Sequence, residues 1–84
     1  MSKKATMFGQ EWEAVTMTVS EEKHAAIKAW LESSYSLGED YWFGRTGKVD
    51  FNEANEKSHE YNYYFTDPGM ATMLSIKFFA EQQP

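Results

Sequence analysis

The sequence predicts an α+β two-layer sandwich with the ferredoxin-like order β-α-β-β-(short α)-β, in which helices cover one face of a sheet. Three patterns carry this prediction. Apolar residues alternate along residues 11–19, an apolar stripe with helical spacing follows Ser20, and the Asp67-Pro68 pair marks the start of a second helix. At 84 residues the chain has the size of one domain, so we treat residues 1–84 as a single unit.

The first strand and the main helix are predicted from the pattern that begins at Glu11. Three apolar side chains alternate with Ala and Thr up to residue 19, which is typical of a half-buried strand; they are Val15, Met17 and Val19. Ser20 is a preferred N-cap, and the two acids after it suit the positive end of a helix dipole. The helix stripe comprises Ala26, Ile27, Trp30, Leu31 and Ser34, and Gly38 is the predicted stop.

Aromatic segments predict the next strands. Residues 41–43 and 49–51 flank the stretch Gly44-Arg45-Thr46-Gly47-Lys48, and this arrangement is typical either of a tight hairpin or of one long bulged strand. Residues 52–58 are polar and predict a turn. Residues 59–65 then alternate as a strand does, with Tyr61, Tyr63 and Phe65 on one face and Glu60, Asn62 and Tyr64 on the other.

The end of the chain allows two interpretations. Asp67 is a preferred N-cap and Pro68 is favoured at the first helical position, so a helix begins here. We favour a short helix followed by a strand, because Leu74, Ile76 and Phe78 alternate. The alternative is one continuous helix from Pro68 to Glu81, which would give a three-stranded sheet with two helices.

The composition excludes several classes of protein. The chain has no cysteine, so it forms no disulfide and no zinc–thiolate site. No apolar run approaches the roughly 20 residues of a membrane span, and the start lacks the apolar stretch of a signal peptide, so we expect a cytoplasmic protein without a membrane partner. The net charge of −5 and the scattered basic residues disfavour binding to duplex DNA. We expect mobile ends at residues 1–9 and 81–84.

No motif in the sequence predicts catalysis. The stretch that ends at Gly47-Lys48 differs from a phosphate-binding loop, because Trp42 and Val49 stand where that motif needs Gly and Ser or Thr. His59-Glu60 differs from a metalloprotease motif, because Tyr63 replaces the second histidine. His24 is the other histidine of the chain, and we expect both histidines to face solvent or to lie at an edge. We therefore predict a protein that is not an enzyme and has no cofactor or metal.

Aromatic residues, which make up 17% of the chain, carry the functional prediction. Trp42 and Tyr64 fall on the side of their strands away from the predicted core, and Tyr and Trp are enriched in protein interfaces. We predict that they anchor a protein partner, or a second copy of the chain in a homodimer, inside an acidic rim formed by Asp40, Asp50, Glu53, Glu56 and Glu60.

Two other functions use overlapping residues. Single-stranded nucleic acid would stack on the same aromatic side chains, and its phosphates would contact Arg45, Lys48, Lys57 and Lys77. Alternatively, the acidic middle of the chain would mimic nucleic acid and bind a basic DNA-handling protein through Glu53, Glu56 and Glu60.

The end of the chain resembles that of small tailed-bacteriophage accessory proteins. The resemblance rests on Phe65-Thr66-Asp67-Pro68-Gly69-Met70-Ala71, followed by Leu74 and by Ile76-Lys77-Phe78. In those proteins an aromatic strand enters an Asp-Pro turn, a short helix follows, and an alternating strand closes the chain. The resemblance implies a phage-encoded modulator or inhibitor of a host protein, located in the host cytoplasm. It implies no catalytic residue.

Overall fold

The computed structural model describes residues 3–79, and the α+β class is confirmed. Four antiparallel strands form one sheet, and two helices pack against it. The elements are β1 (Lys3–Met7), β2 (Gln10–Ser20), α1 (Glu21–Ser34), β3 (Tyr41–Phe51), β4 (Lys57–Phe65), α2 (Pro68–Leu74) and a π-helical turn (Ser75–Phe79).

The strand order is β1-β2-β4-β3, so β4 lies between β2 and β3. The helix α1 connects β2 to β3, and the two strands run parallel because each is antiparallel to β4. This arrangement is the split β-α-β unit on which the fold prediction rested. The predicted ferredoxin-like order is nevertheless not found, because the fourth strand comes from the beginning of the chain and not from its end.

The beginning of the chain corrects one expectation. Residues 1–9 were expected to form a loosely docked start, but β1 pairs with β2 along its whole length. Ala5 stands opposite Trp12, and the Trp12 indole N–H donates to the Met7 carbonyl oxygen at 2.9 Å. The ends of these strands are joined by Phe8-Gly9, a two-residue turn. Residues 81–84, the other expected mobile end, lie outside the described residues.

The end of the chain corrects a second expectation, because residues 74–78 are helical and the predicted strand is wrong. Asp67 caps α2 as predicted: its carboxylate accepts the Gly69 N–H at 2.9 Å. The buried side chains recur at helical spacing (Met70, Ala71, Leu74 and Phe78), whereas Ile76 is 68% exposed. Burial of the helical stripe therefore outweighs the alternation that suggested a strand.

One core lies between the helices and the sheet. The predicted inward face of β2 is buried there, and so are Ile27 and Leu31 of α1. Ser20 caps α1 by accepting the Lys23 N–H at 3.1 Å. The helix ends at Ser34 with Tyr35 as its cap, so the predicted stop at Gly38 is wrong; Gly38 lies in the following turn.

The β3 strand is the long bulged strand of the two alternatives that the sequence allowed. Its pairing with β4 shifts between Arg45 and Val49, where three residues of β3 stand opposite one residue of β4. Gly47, inside this bulge, has a φ of 97°. Glycine adopts this left-handed backbone without steric cost, so the bulge depends on it.

Replacing Gly47 with alanine should destabilise the fold by about 1–2 kcal/mol, because a Cβ atom disfavours the left-handed backbone. Gly44 provides a matched control. It lies in the same strand without a positive φ, and an added Cβ meets no atom within 4 Å at either glycine. Chemical denaturation should therefore show Gly47→Ala losing stability and Gly44→Ala keeping or gaining it. Equal losses in both variants would contradict the assignment of strain to the bulge.

Candidate functional site

The face of the sheet opposite the helices carries a cluster of aromatic side chains at one end. Trp42 pairs with Tyr64 across β3 and β4, and Tyr64 pairs with Ala14 of β2. Both predicted anchors are half-buried, while Trp12 on the same face is only 1% exposed. We call this side of the sheet the open face. The structure thus brings Trp42 and Tyr64 together and adds Trp12, which sequence reasoning missed.

Phe8 extends this aromatic cluster from the tip of the first hairpin. Its side chain is 70% exposed, and its ring stands edge-on to Trp42 with centroids 5.5 Å apart and to Trp12 at 6.3 Å. Phe8 and Gly9 both have positive φ, at 54° and 76°, as in a type I′ hairpin turn. Asn and Gly favour that turn, so a bulky aromatic residue at Phe8 is an outlier.

The charged residues of the predicted rim fall in three places. Glu60 lies on the open face and accepts a hydrogen bond from the Thr46 hydroxyl at 2.8 Å, and the register places Asp50 on the same face. Glu53 and Glu56 belong to the turn between β3 and β4. Asp40 precedes β3, and its carboxylate accepts the Ser36 N–H at 2.9 Å. Trp42 and Tyr64 therefore share a face with only two of the five acids.

A second cluster, on the helix side of the sheet, surrounds His24. The imidazole ring stacks on Tyr61 with centroids 3.9 Å apart and an interplanar angle of 7°. Its Nδ1 lies 2.7 Å from the Tyr63 hydroxyl oxygen, and Phe43 stands edge-on to it at 5.1 Å. We call His24, Phe43, Tyr61 and Tyr63 the histidine cluster. Half-buried on α1, His24 neither faces solvent freely nor lies at an edge.

Basic side chains from two elements border the histidine cluster. The Lys28 ammonium lies over the Phe43 ring, 5.9 Å from its centroid. The Arg45 guanidinium lies over Tyr61 at 5.8 Å, and its Nε–H donates to the Tyr61 hydroxyl oxygen at 3.3 Å. His59 stands edge-on to Tyr61, with ring centroids 6.3 Å apart. It is only 7% exposed because β4 is a central strand, so the prediction that His59 faces solvent or lies at an edge is wrong.

Burial and these basic neighbours shift the protonation of the histidine cluster. Burial lowers the pKa of His24, and the nearby Lys28, Arg45 and His59 lower it further. Burial raises the pKa of Tyr63, with Tyr61 adding to the effect, so Tyr63 remains a phenol. The hydrogen bond is then best made by the Tyr63 O–H donating to Nδ1 of a neutral imidazole. Protonation of His24 would displace that donor, which is a second reason for the imidazole to stay neutral.

The sequence contained a signal for the histidine cluster. His24 and Lys28 are four residues apart on α1 and so share one helix face, while Phe43 and Arg45 are two residues apart on β3 and share one sheet face. What the sequence lacked was the register that sets these pairs beside Tyr61 and Tyr63.

Comparisons with known proteins assign the chain to no family. No protein-family model matches it, and no curated protein or solved structure matches it either. Within residues 3–79, no helix is long and apolar enough to cross a membrane. In that same part of the chain, no three histidine or carboxylate side chains are grouped so as to hold a metal ion.

The lowered pKa of His24 predicts that stability falls as the pH falls below about 6.5, the value of a free histidine. The unfolded state binds the proton there and the folded state resists it, so unfolding is favoured. Denaturant titrations at several pH values should show a weaker pH dependence in His24→Gln than in the wild type. The control His59→Gln removes only the smallest of the causes that lower the pKa of His24, so this variant should lose most of the same stability as the pH falls. An unchanged pH dependence in His24→Gln would refute this origin.

Proposed function

We propose that the protein is a non-enzymatic protein-binding module whose contact surface is the aromatic end of the open face, formed by Phe8, Trp42 and Tyr64. The observation that carries the proposal is the position of Phe8. A large apolar side chain is held in solvent at a hairpin tip, beside a pair of half-buried aromatic residues. Aromatic anchors of this kind dominate the binding energy of protein interfaces.

The backbone at Phe8 supports a role in binding over a role in stability. A left-handed backbone costs a non-glycine residue about 1–2 kcal/mol, while each edge-on aromatic contact gains about 0.5–1.5 kcal/mol. The two contacts that Phe8 makes therefore roughly offset the cost of its backbone. An asparagine would fit the turn without that cost, so folding alone does not favour the phenylalanine.

The distribution of charge favours a protein partner over single-stranded nucleic acid on the open face. Glu60 and Asp50 lie on this face. A polar stretch, in which the Thr16 hydroxyl donates to the Asn62 side-chain oxygen at 2.6 Å, separates them from the aromatic end. Lys3 lies on the same face, at the β1 edge of the sheet. Arg45 and Lys57, which were predicted to serve phosphates there, pair with helix-side residues of the neighbouring strand. Acids farther along this face would repel phosphates and suit a basic partner surface.

The edges of the sheet are poorly suited to the same task. The bulge interrupts β3 at one edge, and the other edge is the short strand β1, which carries Lys3 and Lys4. Both features oppose the addition of a further strand. The protein then associates through the open face. The simplest such complex is a homodimer, in which two copies of the chain pack their open faces together. The resemblance to phage accessory proteins implies a different partner, a host protein that a phage-encoded modulator binds.

Substitutions on the open face should separate binding from folding. Trp42→Ala and Tyr64→Ala should weaken self-association or partner capture at least tenfold, because central aromatic anchors contribute about 2 kcal/mol or more each. Phe8→Asn should also weaken binding. The free energy of unfolding should change by less than about 1 kcal/mol, because the lower cost of a left-handed backbone at asparagine offsets the two lost aromatic contacts. Sedimentation and capture from a nuclease-treated lysate measure the first quantity, and denaturation measures the second.

Leu37→Asn provides the matched control, because Leu37 is an exposed apolar residue outside the strands of the sheet. It should leave binding unchanged. If the open-face variants bind like the wild type while the combined substitution of Glu53, Glu56 and Glu60 by glutamine abolishes binding, the acidic-mimic hypothesis would replace this proposal. If no variant changes self-association or capture, the open face is not the binding surface.

A further inference from the structure

We propose that Lys28, Arg45 and His24 together bind the phosphate group of a ligand on the helix side of the sheet. This site is separate from the open face and does not depend on the function proposed above. It would give an acidic protein one locally basic surface. Three elements build that surface: α1 supplies His24 and Lys28, β3 supplies Phe43 and Arg45, and β4 supplies Tyr61.

Lys28 and Arg45 each lie over an aromatic ring that His24 contacts. His24 contacts both of these rings. It stands edge-on to the Phe43 ring, whose centroid is 5.9 Å from the Lys28 ammonium, and it stacks on the Tyr61 ring, whose centroid is 5.8 Å from the Arg45 guanidinium. Lys28, Arg45 and His59 also act on His24 electrostatically, because all three lower its pKa in addition to the larger effect of burial. Tyr61 and Tyr63 are the remaining titratable groups that face the imidazole.

The basic groups lack an acidic partner within the protein. Among residues 3–79, neither Lys28 nor Arg45 has a carboxylate within ion-pair distance, whereas Lys4 pairs with Glu11 at 3.3 Å on the opposite edge of the sheet. The chain has thirteen Asp and Glu residues against eight Lys and Arg residues. Cations gathered without a carboxylate in such a protein repel one another, and a bound anion would relieve that repulsion.

The geometry of Arg45 favours an oxyanion. Its Nε–H is used by the Tyr61 hydroxyl, which fixes the plane of the guanidinium and leaves the terminal nitrogens for a bidentate contact. Lys28 is half-buried and Arg45 is exposed, so a ligand reaches both from solvent. With Nδ1 occupied by Tyr63, the neutral imidazole of His24 presents Nε2–H as a further donor. Two cations and this donor suit a dianionic phosphate better than a single carboxylate.

Ligand binding and the protonation of His24 are then coupled. A phosphate beside the imidazole favours the imidazolium, so binding should raise the pKa of His24, and lowering the pH through that pKa should tighten binding. Sulfate isolates the contribution of the histidine, because it stays dianionic over this range while phosphate itself gains a proton.

The test is an NMR titration of the full chain with inorganic phosphate at constant ionic strength, followed at the His24 ring and at the backbone amides. We expect saturable shifts at His24, Lys28 and Arg45, and a raised pKa of His24 in the phosphate- and sulfate-bound forms. Lys28→Gln and Arg45→Gln should each weaken binding roughly tenfold, as expected for a lost charged hydrogen bond. The control Lys77→Gln removes a lysine that also lies over a phenylalanine ring, Phe78 at 5.8 Å, and should bind as the wild type does.

Further probes identify the source of the phosphate. Equal affinity for inorganic phosphate and a mononucleotide would support a small phosphate-bearing ligand. Tighter binding of a short single-stranded oligonucleotide, lost in Lys28→Gln and Arg45→Gln, would support a nucleic-acid strand on this side of the sheet. The proposal would be overturned if acetate at the same concentration caused the same shifts. It would also be overturned if Lys28→Gln, Arg45→Gln and Lys77→Gln changed the shifts equally. A titration without saturable shifts at His24 would also overturn it.

Discussion

The alternation of side chains along β4 is the constraint on which the rest of the molecule depends. Because β4 is paired on both sides, every second residue must face the helices and the others must face away. Tyr61, Tyr63 and Phe65 are buried against α1 and α2, while Glu60 and Tyr64 lie on the open face. A shift of one residue in this register would bury a carboxylate and expose three aromatic rings, so the register is strongly fixed.

This division also separates the charges of the long β3–β4 hairpin. Helix-side positions carry Arg45 and Lys57, whereas Asp50 and Glu60 lie on the open face. One side of the sheet can therefore present aromatic anchors with acids, while the other presents cations around the histidine cluster. Within a protein of overall negative charge, this hairpin therefore has two faces of opposite charge, and the net charge alone describes neither.

The sequence predicted those parts of the fold that depend on local chemistry. The Ser20 and Asp67 caps, the inward face of β2 and the alternation of residues 59–65 are all found in the structure. The remaining features depend on tertiary contacts. The strand β1 pairs with β2 and accepts the Trp12 indole N–H at the Met7 carbonyl oxygen. Residues 74–78 stay helical because Phe78 completes a buried stripe, and the histidine cluster exists only once β4 pairs with β3. Local patterns do not contain the register that creates these contacts.

The most direct test of the division between the two faces is an amide and indole NMR titration of the full chain with a short single-stranded oligonucleotide that carries a 5′-phosphate, the dianionic group proposed for the helix side. Arg45, Lys28 and His24 lie on the helix side, and Trp42 and Tyr64 lie on the open face. We expect shifts at the helix-side residues and none at the Trp42 indole or at Tyr64. Shifts of the Trp42 indole and Tyr64, with the helix-side residues unmoved, would contradict it, because the strand would then stack on the open face.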